Sequence, residues 1–269
     1  MDFVRYCIMV SLYPLAAIVV CGLAVWGCKE LFMNLLGHSG YRAVMATSII
    51  GTPVHELGHA GMCLLFRHKI LKLVLWDPHP SDGTLGYVRY ARTSNSLYQK
   101  LGGLFISAGP IFSGMAALSI VLAIFFPNTW NLYVSTIRAL AQDPGSVSEL
   151  LDTGLHVIWN LFEELGSSSG KIWFRIPALL VMLSIALHTS LSPGDVKIAL
   201  SVLPLYFLVT LVVAVVTYLP GSAARALVLD SLGTYHAFMM AMFTVVLIFV
   251  AFQVLLALVI HGIQSCLRK

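Results

Sequence analysis

The sequence predicts an all-α polytopic membrane protein, with about six transmembrane helices and a small β-hairpin at the cytoplasmic membrane surface. Composition comes first. Of 269 residues, 58% are hydrophobic and only 10% are charged, against roughly 45–50% and about 25% in soluble domains. Mean hydropathy is +0.88. The apolar residues also gather into runs at about 7–28, 43–66, 101–127, 173–190, 195–218 and 236–262, each near the roughly 20 residues that cross a bilayer core. A surface so poor in charge cannot be wetted all round. A soluble domain, a disordered chain and a collagen-like chain are therefore excluded.

Each element follows in turn. The first run is longer than the roughly 7–15-residue apolar stretch of a signal peptide and reads as a retained helix. After the second run, Lys69–Trp76 and Thr84–Tyr90 alternate like strands around the turn signals Asp77-Pro78 and Ser81-Asp82-Gly83, which predicts the hairpin. Residues 67–100 carry Arg67, Lys69, Lys72, Arg89, Arg92 and Lys100, so they are expected in the cytoplasm. Alternation of spans then places Arg5 and the tail Arg268-Lys269 there too, with both termini cytoplasmic. Residues 128–172 fall outside, with Asp143, Glu149, Asp152, Glu163 and Glu164 against Arg138 and Lys171. They contain helical pieces around Trp130–Ala141 and Val147–Leu165, split by Asp143-Pro144-Gly145, and read as an amphipathic, peripheral insertion. The whole chain, 1–269, is read as one membrane-embedded domain, with its core at about 43–127 and 173–218. The cell membrane (plasma or inner) is the expected location.

The net charge of +4 reports loop charge at one membrane face. No long basic run with interleaved aromatics occurs, so nucleic acid is not an expected partner. Cys7, Cys21, Cys28, Cys63 and Cys266 form no close pairs and sit mostly in apolar runs, as small embedded hydrophobes do.

One constellation carries chemistry: His55-Glu56-Leu57-Gly58-His59. Positions i and i+4 of a helix share a face, so both imidazoles can hold one metal ion, and zinc suits two imidazoles plus a carboxylate. Glu56 is then placed as general base toward a water on that ion. Two His and a Glu inside an apolar span are costly unless paired or functional. Thr52-Pro53 reads as a helix start, with a new helix from 53 to about 66. A site of this kind needs a third protein ligand. The candidate is Asp195 in Ser192-Pro193-Gly194-Asp195, which sits at the same membrane face; the same four residues also read as an ordinary helix cap. His188 is a hydrogen-bond donor behind one of the ligands, a substitute ligand or a satisfied core histidine.

These residues resemble the site-2 protease family of intramembrane zinc metalloproteases. The resemblance rests on His55–His59 in an early span, on Ala108-Gly109-Pro110-Ile111-Phe112-Ser113-Gly114 in the next, and on Pro193-Gly194-Asp195 opening a later one. It covers about half of the chain. Ser113 stands where that family often has Asn, and the family's usual order of Asp before Gly is reversed at 194–195. The resemblance implies one zinc per chain and hydrolysis of a peptide bond in or beside a substrate's transmembrane segment. The expected partners are a transmembrane protein or peptide and the lipid bilayer. Ser113 then stands near the site as an oxyanion or substrate contact, and the hairpin offers a strand edge to the unwound substrate. No soluble regulatory domain is visible, which points to a regulatory membrane partner or to substrate shape. Two other classes fit less of the sequence. One is a chamber-type membrane HExxH protease with Glu163 or Glu164 as third ligand. The other is a non-catalytic zinc scaffold or transporter.

Overall fold

Long apolar stretches become long helices, because a backbone shielded from water must satisfy its own hydrogen bonds. The computed structural model describes residues 2–79, 83–92, 96–142, 147–167, 172–218 and 222–267. The Ser81-Asp82 turn, the Asp143-Pro144-Gly145 break, Lys171 and the Arg268-Lys269 tail lie outside the described residues. The helices are α1 (Phe3–Leu36), α2 (His38–Leu65), α3 (Leu97–Phe125), α4 (Pro127–Gln142), α5 (Val147–Gly166), α6 (Ile172–His188), α7 (Pro193–Tyr218) and α8 (Ser222–Leu267). Strands β1 (Lys69–Val74) and β2 (Tyr87–Ala91) lie between α2 and α3. Four helices are long and apolar enough to cross a membrane: α1, α3, α7 and residues 223–266 of α8. Helix α2 has the length, but Ser, Thr, Gly and the His-Glu-His set interrupt its apolar character. Helix α6 is apolar, with 17 residues. The chain is thus helical and membrane-like in build.

Local chemistry sets the ends. Asp2 caps α1 by accepting from the Arg5 N–H at 2.7 Å, and Ser96 caps α3 through Gln99. Gly37 alone separates α1 from α2, at φ 55°, a left-handed conformation that glycine adopts without steric cost. The expected helix start at Thr52-Pro53 is corrected: α2 runs unbroken through Pro53, and Thr52 is a buried helical residue rather than a cap. One missing N–H is tolerated where flanking helices hold the rod straight.

Helix directions overturn the expected up-and-down alternation. Contacts along α3, from its C-terminus back to its N-terminus, are Arg175 at Phe125, Thr189 at Gly114, Val202 at Gly103, and Tyr206 beside Leu104. Helices α6 and α7 therefore descend α3 in one direction as a single path broken at residues 189–192. Helices α1 and α8 run parallel: Tyr6 clusters with Val228, Tyr235 Oη donates to the Pro14 carbonyl, Phe32 packs with Val254, and His261 Nδ1 bonds the Leu35 carbonyl. The start of α1 and the end of α8 lie at opposite ends of the bundle, where six alternating spans would have brought both termini to one side.

The hairpin forms as the alternation requires, with Lys69 opposite Ala91, Val74 opposite Tyr87 and an irregularity between Ile70 and Lys72. It does not project away from the helices. Arg67, at φ 56°, turns the chain back, and the strands return along α2. The Trp76 indole donates to Ser48 Oγ at 2.9 Å, and Gly86 sits so close to Thr52 and Glu56 that a Cβ there would stand 2.8 Å from each side chain.

The 128–172 insertion is more deeply joined than its amphipathic pattern implies. Tyr133 of α4 and Val157 and Leu161 of α5 belong to the main core with Met115, Leu122, Phe126, Met182 and Phe243. Arg175 and Glu164, both buried, pair at 3.1 Å. Arg175 also donates to the Phe125 carbonyl and to the Glu164 backbone carbonyl. Glu164 accepts from Thr129 N, Thr129 Oγ1 and Asn128 N at the start of α4. One ion pair thus ties together the ends of α3, α4, α5 and α6.

Candidate metal centre

Helices α2 and α3 cross at Gly58 and Gly109, whose backbones meet with no room for a Cβ on either. That close approach brings the face of α2 bearing His55 and His59 against the middle of α3. The break between α6 and α7 arrives from the other side with Asp195. One ligand atom each from His55, His59 and Asp195 lie within 4.8 Å of one another. Among the described residues, no other set of three His, Cys, Asp or Glu side chains gathers so closely.

The tautomers are fixed by acceptors. His55 Nδ1 donates to the His188 carbonyl at 2.9 Å, and His59 Nδ1 donates to the Ile106 carbonyl at 2.7 Å. A carbonyl oxygen only accepts, so the proton of each neutral ring sits on Nδ1 and each Nε2 presents a lone pair. Those two Nε2 atoms stand 3.2 Å apart. Asp195 Oδ1 is 3.3 Å from His59 Nε2, and Asp195 Oδ2 is 3.9 Å from His55 Nε2. Two lone pairs and a carboxylate converging in a buried space repel one another, and a cation between them resolves the conflict. The three side chains could hold a metal ion on this ground.

Both orienting carbonyls are ones that a helix leaves free. Ile106 lies four residues before Pro110, which has no N–H to claim its oxygen. His188 is the last residue of α6, where carbonyls lose their intrahelical partners. Sequence reasoning did not find Ile106, because a carbonyl carries no residue signature; the signal available was Pro110, four positions on. It did single out His188, and the structure places that residue behind His55, acting through its backbone. The His188 ring is buried and bonds the Ser184 carbonyl through Nδ1.

For Asp195, the two readings of the sequence are both present. Asp195 Oδ2 accepts from the Ser192 N–H at 2.8 Å and Ser192 Oγ accepts from the Asp195 N–H at 3.2 Å, a reciprocal cap on α7. The other oxygen faces His59. Glu56 is buried at 5% exposure, next to His55 in sequence, and no described side chain or backbone group donates a hydrogen bond to it. The Ser113 hydroxyl donates to the Val54 carbonyl at 2.8 Å, bridging α3 to α2, and lies 3.2 Å from the Pro110 carbonyl. Glu163 is exposed and Glu164 is held by Arg175, so neither joins the His pair. No family model, no curated protein and no solved structure matches this chain.

Proposed function

We propose that this protein is a membrane-embedded zinc metalloendopeptidase of the site-2 protease kind, hydrolysing a peptide bond in or near a transmembrane segment of a membrane-protein substrate. The observation that carries the reading is the convergence of two unprotonated Nε2 atoms 3.2 Å apart with Asp195, beside the Glu56 carboxylate, to which no group among the described residues donates. Ligands about 2.0–2.1 Å from one tetrahedral ion stand about 3.3 Å apart, so the spacing fits zinc. Two imidazoles and one carboxylate leave a fourth position open, as catalytic zinc sites do. Zinc bound there would lower the pKa of a water to about 7 and polarise the scissile carbonyl. Glu56 takes the proton of the attacking water and returns it to the leaving amine. Ser113 takes no part in this scheme beyond holding the helix crossing.

In this reading the chain crosses the bilayer five times: α1, α2, α3, the broken α6–α7 path and α8. Its basic hairpin region and the start of α1 face the cytoplasm, and α8 ends on the opposite side of the cell membrane. Non-helical backbone at membrane depth is stable only when buried in protein. Thr189 and Ser190 at the break are 1% and 6% exposed. Beside the site, β1 exposes Leu71 and Leu73 along one face, with Leu75 exposed just after it, and a locally unwound apolar segment pairs naturally with such a strand.

Zinc content per chain tests the metal. Wild type is expected to hold one zinc and the Asp195→Ala variant to lose it. Full retention in the variant would leave Asp195 only its cap on α7, and an empty, well-folded wild type would end the zinc reading.

A further inference from the structure

We infer that the break between α6 and α7 is a preformed clamp, keyed into three helices by glycines, and that Gly51 and Gly114 are positioning residues for the metal centre. The inference rests on the metal reading above.

Over eight residues, this break delivers two of the groups that define the site. The His188 carbonyl holds the proton of His55, and Asp195 faces His59. Each group sits at a helix end, the His188 carbonyl closing α6 and Asp195 in the first turn of α7, where the helix's own hydrogen bonds run out. Its position depends on how residues 188–192 are seated, and each of three side chains there fills the place of a missing Cβ. The His188 ring lies on Gly51 of α2, where a Cβ would collide with the ring and stand 2.6 Å from the Ser184 carbonyl. Thr189 lies on Gly114 of α3, where a Cβ would stand 2.7 Å from its Cγ2. Leu191 lies on Gly22 of α1, with 3.0 Å to its Cδ1. Real Cβ contacts do not fall below about 3 Å, so the first two notches admit no side chain unless the turn moves. The third yields to a few tenths of an ångström at a flexible tip.

The seating is specific to the break. Thr189 is also tied by its hydroxyl to the Ile185 carbonyl at 2.8 Å, and His188 to Ser184 at 3.0 Å, so neither side chain can swing aside without giving up a buried hydrogen bond. A displaced turn carries both the carbonyl behind His55 and the Asp195 carboxylate with it. Groups that orient metal ligands from behind change metal affinity by about 10–100-fold when altered, and a shift here touches a ligand as well.

The test compares Gly51→Ala, Gly114→Ala and Gly22→Ala with Gly154→Ala in the full-length protein in detergent. Gly154 is an equally tight glycine, 2.7 Å from Thr244 Cγ2, at the α5–α8 contact away from the site. Zinc affinity is read by chelator competition and ligand geometry by the visible spectrum of the cobalt-substituted protein. Gly51→Ala and Gly114→Ala are expected to weaken zinc binding at least about tenfold and to shift the cobalt bands. Gly22→Ala, which stays folded most easily, should do so by a few-fold, and Gly154→Ala should lower thermal stability with affinity and spectrum unchanged. Thr189→Ala added to Gly114→Ala removes the colliding Oγ1 and Cγ2 and leaves only Thr189 Cβ, at 2.9 Å, so part of the lost affinity should return. Wild-type affinity and spectrum in Gly22→Ala and Gly114→Ala would overturn the clamp while leaving the metal centre standing, as would an absence of recovery in the double variant. A wild type that binds neither metal would remove the metal reading and the clamp with it.

Discussion

Two glutamates are buried to nearly the same degree, Glu56 at 5% and Glu164 at 4% exposure, and their surroundings are opposite. Glu164 is encircled by donors: the Arg175 guanidinium, two backbone N–H groups at the first turn of α4, and the Thr129 hydroxyl. Its charge also meets the positive end of a helix. Glu56 has no donor among the described residues and lies one position from a ring whose lone pair points into a shared space. A carboxylate ringed by protein donors has its lone pairs occupied, while one without protein donors keeps them for a water or another proton partner. Burial alone does not separate a structural acid from a reactive one; the count of donors around it does.

The same substitution at the two positions should break that comparison apart. Glu56→Gln is expected to reduce cleavage of a membrane substrate by at least about 100-fold, with zinc content and thermal stability at or above wild type; substantial residual proteolysis would remove Glu56 from the role of base. Glu164→Gln leaves Arg175 buried without its counter-charge, so a loss of about 3–5 kcal/mol of stability is expected. Activity per folded molecule should persist, since the node lies at the far end of α3. Unchanged melting in detergent would show that the pair ties nothing together. The smallest effect belongs to Ser113→Ala. Removing its hydrogen bond to the Val54 carbonyl should cost about 0.5–1.5 kcal/mol, with kcat nearly unchanged. A large fall in kcat at full stability would restore Ser113 to the reacting groups.

Much of the site was legible in the chain. The His55–His59 spacing requires a helix to make sense, and the Ser192–Asp195 turn advertises itself as a helix start. The strand alternation of 69–76 and 84–90 survives as the paired strands Lys69–Val74 and Tyr87–Ala91. Other features were hidden for physical reasons. Pro53 reads as a start signal, yet lateral packing carries α2 through it. The polar break at 189–192 looks like a surface loop, although Thr189 and Ser190 within it are buried. The Arg175–Glu164 pair had a usable signal. An arginine inside an apolar run needs a carboxylate, and Glu164 continues the inward face of α5 set by Val157 and Leu161, at i+7 and i+3. What no residue letter conveys is a carbonyl's freedom, and both carbonyls behind the histidines belong to that class.

Helix α8 has 46 residues, about 69 Å at 1.5 Å per residue, and α1, parallel to it, has 34. The hydrocarbon layer of a bilayer is about 30 Å thick. Rods of that length accommodate such a layer by leaning, by emerging from it, or by stretching the lipids around them. Because α1 and α8 lie side by side along their lengths, they must lean together, and α7, which packs against α1, leans with them. In a bilayer, acyl-chain length would thereby act on the tilt of the helix that carries Asp195 in its first turn, and the thickness of the host membrane would be a mechanical variable for this protein.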